Sequence, residues 1–147
     1  MAITKINGGV TAPKGFLASG LNAGIKNQTK KDMAMVFSST PCAAAGVFTT
    51  NLVKAAPVKW DKEIVTTSPY VQAVVVNSGI ANACTGAEGL GYCADTAAEA
   101  AAALNIPKTA VLVASTGVIG KQLPIDKIKS GVTALSKVLG SSREDAK

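Results

Sequence analysis

Two short stretches of this chain hold the residues best suited to chemistry. They are Asn77-Ser78-Gly79-Ile80-Ala81-Asn82-Ala83-Cys84-Thr85-Gly86 and Ser115-Thr116-Gly117-Val118-Ile119-Gly120. Each follows an apolar run, and small polar residues with glycine at a strand end bring backbone amides close to a ligand. In the second stretch, the Thr116 hydroxyl and the neighbouring N–H groups suit the negative oxygen that develops when an acyl carbonyl is attacked. The same pair also suits a tight strand-to-helix turn, with threonine capping and glycine relieving a backbone clash. In the first stretch, the amides and hydroxyls of Asn77, Ser78, Asn82 and Thr85 can fix a small polar molecule, although such residues also populate ordinary turns.

A nucleophile with its base is harder to find, because the chain contains no histidine. Cys84 depends on a helix terminus or a lysine to become a thiolate; a packed small residue is the simpler role. Ser78 and Ser115 lack the partner of a Ser-His pair. Lys54 can hold a carboxylate or simply remain solvated. Gly89-Leu90-Gly91 is too short for a phosphate-cradling loop, and no Gly-Lys-Ser/Thr follows it. Cys42, Cys84 and Cys93 have no Cys-x-x-Cys spacing and no histidine to complete a zinc site, so no metal site is expected. They read as buried free thiols in a reducing compartment. The site is thus partial, with its remaining groups expected elsewhere.

The 147 residues suit one domain with a real core. Hydrophobic residues make up 48% and charged residues only 16%, against roughly a quarter charged in an average domain. A surface this poor in charge points to cover by a partner or by further chain. The net charge of +6 does not point to nucleic acid. The lysines are scattered, Arg143 is the single arginine, and no aromatic residues alternate with the basic ones as a stacking platform requires. Met1-Ala2-Ile3-Thr4-Lys5 opens no long apolar run, so neither a signal peptide nor a membrane span is expected, and cytoplasmic residence follows.

Several elements must position the two stretches. Thr11 to Phe16 reads as a turn-rich entry and Gly20 to Lys31 as a loop. Met33 to Phe37 is a strand ended by Ser38-Ser39-Thr40-Pro41, and Ala43 to Phe48 is a second, forming an antiparallel hairpin with it. Pro57 permits an extended or helix-starting segment. Tyr70 to Val76 is the clearest strand, ending at Asn77. A helix runs over Asp95 to Leu104, closed by Asn105 and Pro107, and its alanines allow close packing. Ala110 to Ala114 is a strand feeding the second stretch. Ile125, Ile128, Val132, Leu135 and Leu139 then mark the apolar face of a helix beginning near Pro124. Residues 140–147 carry no apolar anchor and read as an exposed linker.

Asn51-Leu52-Val53-Lys54-Ala55-Ala56-Pro57-Val58 and the two stretches above, in this order, resemble the N-terminal part of the ornithine acetyltransferase family of arginine biosynthesis. The resemblance runs from Gly9-Val10-Thr11-Ala12-Pro13-Lys14-Gly15-Phe16 to the helix before Gly140. It implies a precursor that cleaves itself before a threonine, leaving alpha and beta chains that stay together in an alpha2-beta2 assembly. The new N-terminal threonine takes acetyl from N-acetylornithine and passes it to glutamate, and some members also use acetyl-CoA. Thr116 and Gly117 match the pair that forms the oxyanion hole. The implied fold is α+β, a layered sandwich of two central sheets flanked by helices, like other self-processing N-terminal-threonine amidohydrolases. The family's Lys-Gly-x-x-Met-Ile-x-Pro-Asn-Met-Ala-Thr-Met-Leu stretch around the cleavage point is absent from these residues. The chain is therefore expected to be an incomplete alpha chain over 1–147, inactive and self-associating by itself. A noncatalytic metabolite-binding or assembly domain, and part of a self-processing peptide amidase, are the other functions open to such a sequence.

Overall fold

Alternating valines build the centre of the sheet. In the computed structural model, which describes every residue except Met1, Ala2, Lys5, Asn7, Gln28 and Lys147, four strands pair in the order β1-β2-β3-β4. They are β1 (Phe16–Leu21), β2 (Met33–Cys42), β3 (Val71–Ile80) and β4 (Val111–Val118). The first three run antiparallel, while β3 and β4 are parallel. A parallel pair needs a crossover, and a 19-residue helix, α2 (Gly86–Leu104), supplies it. Two further helices, α1 (Ala56–Thr67) and α3 (Ile125–Lys137), complete the layer.

The period-2 alternation of the strands divides the sheet into two unlike faces. Met33, Met35, Ala73, Val75, Val111 and Val113 are buried against Ala97, Ala100 and Ala101 of α2 and Ile128, Val132 and Leu135 of α3. The alanine stripe lets α2 lie close, and each fully buried valine, leucine or isoleucine contributes about 1.5–3 kcal/mol. Val36, Val74, Val76 and Leu112 alternate onto the other face, where they are only half-buried and no described helix packs. The fold is thus α+β, a mixed sheet flanked by helices. The resemblance implies two central sheets; the described residues form one.

Several boundaries differ from those expected. The partner of β2 is β1, not Ala43 to Phe48, which forms no strand. Alanines and Gly46 give that segment little to bury, and glycine weakens a strand interior. β2 continues through Pro41, a residue without an N–H, because the register shifts between Phe37 and Cys42 and relieves the ladder there. β3 does not stop at Asn77 but runs on to Ile80. α2 begins at Gly86 rather than Asp95, the low helix propensity of its glycines being overridden by packing. Pro57 lies in the first turn of α1, where a missing N–H costs nothing. Asn105 closes α2 in the left-handed conformation, φ 54°. Residues 141–144 are exposed, yet the stretch is fastened: Gly140 exchanges backbone hydrogen bonds with Ala18, and Thr11 Oγ1 donates to the Ser142 carbonyl. The last residue of that expected linker, Lys147, lies outside the described residues. No described helix is long and apolar enough to cross a membrane.

Candidate active site

The two candidate stretches lie side by side. In the β3–β4 ladder Ser78 pairs with Thr116, Gly79 with Gly117 and Ile80 with Val118. Each stretch opens as a strand end rather than a turn, residues 77–80 closing β3 and 115–118 closing β4, since the ladder depends on backbone groups that polar residues also carry. Gly79 and Gly117 have φ 115° and 136°, in the region that favours glycine. A Cβ built on Gly117 would fall 2.2 Å from the Gly79 carbonyl carbon. The two backbones touch there because residue 117 carries no side chain.

β4 is an edge strand, and α1 fastens part of that edge. Trp60 Nε1 donates to the Val111 carbonyl at 3.0 Å, and the Val113 N–H donates to Asp61 Oδ1 at 2.9 Å. Val111 and Val113 therefore direct their backbone polar groups away from β3. On the opposite side, Val118 accepts from Ala81 N–H at 2.9 Å. By strand alternation Ser115 shares the outer edge with Val113. A hollow of about 420 Å³ follows this edge, lined by Phe48, Val58, Asp61, Val113 and Ser115. The Thr116 side chain alternates onto the face that carries no helix and is exposed. Among the described residues nothing hydrogen-bonds its hydroxyl.

Most other polar residues of the two stretches are already engaged. Ser115 Oγ donates to the Ile80 carbonyl and accepts from Asn82 N–H. Asn82 is 2% exposed; its Nδ2 donates to the Gly89 carbonyl and to Cys93 Sγ, and its Oδ1 accepts from Thr85 Oγ1. Asn77 Nδ2 donates to the Ile80 carbonyl. These bonds brace the turn from β3 into α2. Gly89 belongs to the same brace, because a Cβ there would meet Thr85 Oγ1 at 2.1 Å. An isolated glycine in a helical pattern is the signal that could have marked it.

The cysteines separate into three environments. Cys93 is buried, Cys42 half-buried and Cys84 exposed, which corrects the expectation of three buried thiols. Burial, and then the neighbouring Asp61 charge, outweigh the hydrogen bond from Asn82 and push the Cys93 thiol up to about 12. Cys93 is consequently a neutral packing group. Cys84 precedes α2 at φ 57° and shares a hollow of about 320 Å³ with Lys54, Lys59 and Thr85. Thr116 and Gly117 do not line that hollow. Asp61, which sequence alone does not single out, is raised to about 6 by burial, partly offset by the Val113 N–H bond.

Comparison with known proteins places this geometry. The profile of the ArgJ family matches residues 17–147. The chain is 51% identical over 128 residues to the arginine biosynthesis bifunctional protein ArgJ of Thermotoga neapolitana, covering 86% of this chain and 32% of that protein. It is 53% identical to the ArgJ of Symbiobacterium thermophilum over 134 residues, covering 90% of this chain and 33% of that one. The chain thus spans about a third of the length of these curated relatives. Its fold matches the crystal structure of ArgJ from Bacillus halodurans with a TM-score of 0.89 at 42% identity, covering 95% of this chain and 71% of that one. Ornithine acetyltransferase of Mycobacterium tuberculosis, solved with ornithine, matches with a TM-score of 0.90 at 46% identity, covering 95% and 75%. With the family profile spanning nearly all of its length and the fold matched closely, this chain belongs to the ArgJ family.

Proposed function

We propose that this chain is the alpha-chain portion of a bifunctional ornithine acetyltransferase, and that Thr116 and Gly117 form its oxyanion hole. The observation that carries this reading is the placement of the pair. Thr116 puts an unengaged hydroxyl on the helix-free face of the sheet, and one residue on, Gly117 lies against Gly79 near the end of β4 at φ 136°. A hydroxyl and an amide from adjacent residues suit an oxygen that becomes negative as a carbonyl carbon turns tetrahedral.

The nucleophile in this reaction is an N-terminal threonine of the beta chain cut from the same precursor. Its hydroxyl oxygen attacks the acetyl carbon of N-acetylornithine while its own α-amine takes the proton. The carbonyl oxygen, now an anion, is held by the Thr116 hydroxyl and the Gly117 N–H. Collapse breaks the C–N bond, returns the proton to the departing ornithine amine and leaves an acetyl ester on threonine. Glutamate's amine then attacks that ester through the same oxyanion, completing a ping-pong cycle, and acetyl-CoA is an alternative acetyl donor. No cofactor or metal enters. The 147 residues provide the hole without the attacking group, so by themselves they transfer no acetyl.

The uncovered sheet face supports the two-sheet fold that the resemblance implies. Val36, Val74, Val76 and Leu112 form a half-buried apolar surface, and in an alpha2-beta2 assembly a second sheet from the remaining polypeptide would cover it. That arrangement brings the nucleophile to the side from which Thr116 is accessible, in an enzyme of the cytoplasm. Labelled acetyl exchange by the full-length protein tests the assignment. Label passing from N-acetylornithine to glutamate without acetyl-CoA is expected; an assembled, cleaved protein with no such exchange would refute it.

A further inference from the structure

The residue that sets the backbone of this pair lies on a different strand connection. Asp32 ends the loop between β1 and β2 and is 3% exposed. Its carboxylate accepts three backbone hydrogen bonds from that loop: Ala23 N–H to Oδ1 at 2.7 Å, and Ile25 N–H and Lys26 N–H to Oδ2 at 2.7 and 2.9 Å. Three amide donors on one buried carboxylate fix the course of residues 23–26 far more tightly than neutral bonds would. The loop so held rests on Gly79. A Cβ built on Gly79 would meet Lys26 Cγ at 2.7 Å and Ile25 Cγ2 at 3.2 Å. Gly79 in turn lies against Gly117. A second route runs through the main chain, since the Asp32 carbonyl accepts from Ser78 N–H at 2.8 Å and Ser78 pairs with Thr116.

From these contacts we infer that Asp32 is a positioning residue for the oxyanion hole: through Ile25 and Lys26 on Gly79, and through its carbonyl on Ser78, it fixes the height and direction of the Thr116–Gly117 backbone. The inference rests on the proposed role of that pair. Its physical basis is that an oxyanion donor works only when aimed beforehand, and a displacement of about 1 Å costs on the order of a hundredfold in rate. Gly117 has no side chain to hold it and its backbone lies directly against Gly79, so what presses on Gly79 from outside bears on where its N–H points. Asp32 touches no substrate on this account; its contribution belongs to turnover rather than to binding.

The test uses the full-length, assembled protein. Asp32→Asn replaces one acceptor oxygen by an NH2 group that faces amide donors. It is expected to lower kcat for acetyl transfer roughly tenfold or more, with KM for N-acetylornithine held within about twofold. A purely structural role would not make that loss depend on the hole. Thr116→Ala leaves the Gly117 N–H in place, so in that background Asp32→Asn should cost less than in the parent, whereas equal losses in both backgrounds would overturn the inference. The double variant Ile25→Ala/Lys26→Ala keeps every amide bonded to Asp32 while removing the side chains that rest on Gly79. It carries the test if Asp32→Asn does not assemble, and the same fall in kcat is expected; an unchanged kcat would overturn the inference. The two readings fail separately. If Thr116→Ala leaves kcat unchanged, the oxyanion assignment is wrong; if Thr116→Ala lowers kcat while the loop variants do not, only the positioning role is.

Discussion

Gly79 and Gly117 meet across the parallel β3–β4 pair so closely that a methyl group on Gly117 would lie 2.2 Å from the Gly79 carbonyl carbon and 2.6 Å from Ile80 N. Backbone, not a flexible side chain, occupies the space that a larger residue would need. Gly117→Ala therefore combines overpacking, which costs about 1–3 kcal/mol, with a φ of 136° that alanine disfavours. Thermal unfolding of the full-length protein should shift down and acetyl transfer should fall with it. Parental stability and turnover in this variant would show that the strands separate without cost.

The thiols should react in the order of their exposure. Alkylation of the native protein is expected to modify Cys84 and to spare Cys93, which burial and the Asp61 charge keep protonated. Peptide mapping after denaturation should then recover Cys93 unlabelled. Because Cys93 is a packing group, Cys93→Ala should retain transfer activity. Rapid native labelling of Cys93, or loss of transfer in a folded Cys93→Ala protein, would contradict this placement.

Asp61 gives a pH signature of defined sign. Its carboxyl is raised from the ordinary 3.8 to about 6, so the fold favours the neutral acid. The resulting stabilisation is fully present below the unfolded value and is lost as pH rises through about 6. Asp61→Asn is neutral throughout and keeps an oxygen for the Val113 N–H. Its melting temperature relative to the parent should rise across that interval and level off above it. Cys93, the titratable neighbour, remains neutral over the same range. A difference in melting temperature that does not vary over about pH 4 to 8 would contradict the assignment.

What could be read from the residues followed local physics. The valine run of β3, the alanine-rich part of α2 and the spacing of Ile128, Val132 and Leu135 on α3 are each specified within one element, and all three occur where expected. The partner of β2 was not legible, because β1 contains Ser19 and Gly20 and gains its place from pairing rather than composition. The ordered polar residues between β3 and α2 were equally ambiguous. Asn82 and Thr85 are turn formers by type, and only the fold reveals that their side chains bond each other, with Asn82 also bonding Gly89. Within the candidate site, Thr116 and Gly117 stood out by type and position. Trp60 and Asp61 did not, since each acts on backbone distant in sequence, and neither did Asp32, whose carboxylate binds a nearby loop while its carbonyl alone reaches β3; no spacing rule links the three to β3 or β4.

The proposed oxyanion role of Thr116 and Gly117 is tested by kcat for acetyl transfer from N-acetylornithine to glutamate in the full-length protein carrying Thr116→Ala. The Thr116 hydroxyl is exposed and has no partner among the described residues, so its removal leaves the fold intact. Turnover should fall by about tenfold to a thousandfold while KM changes little, as for a donor that acts mainly in the transition state. Unchanged kcat in a cleaved and assembled Thr116→Ala enzyme would remove Thr116 from the site.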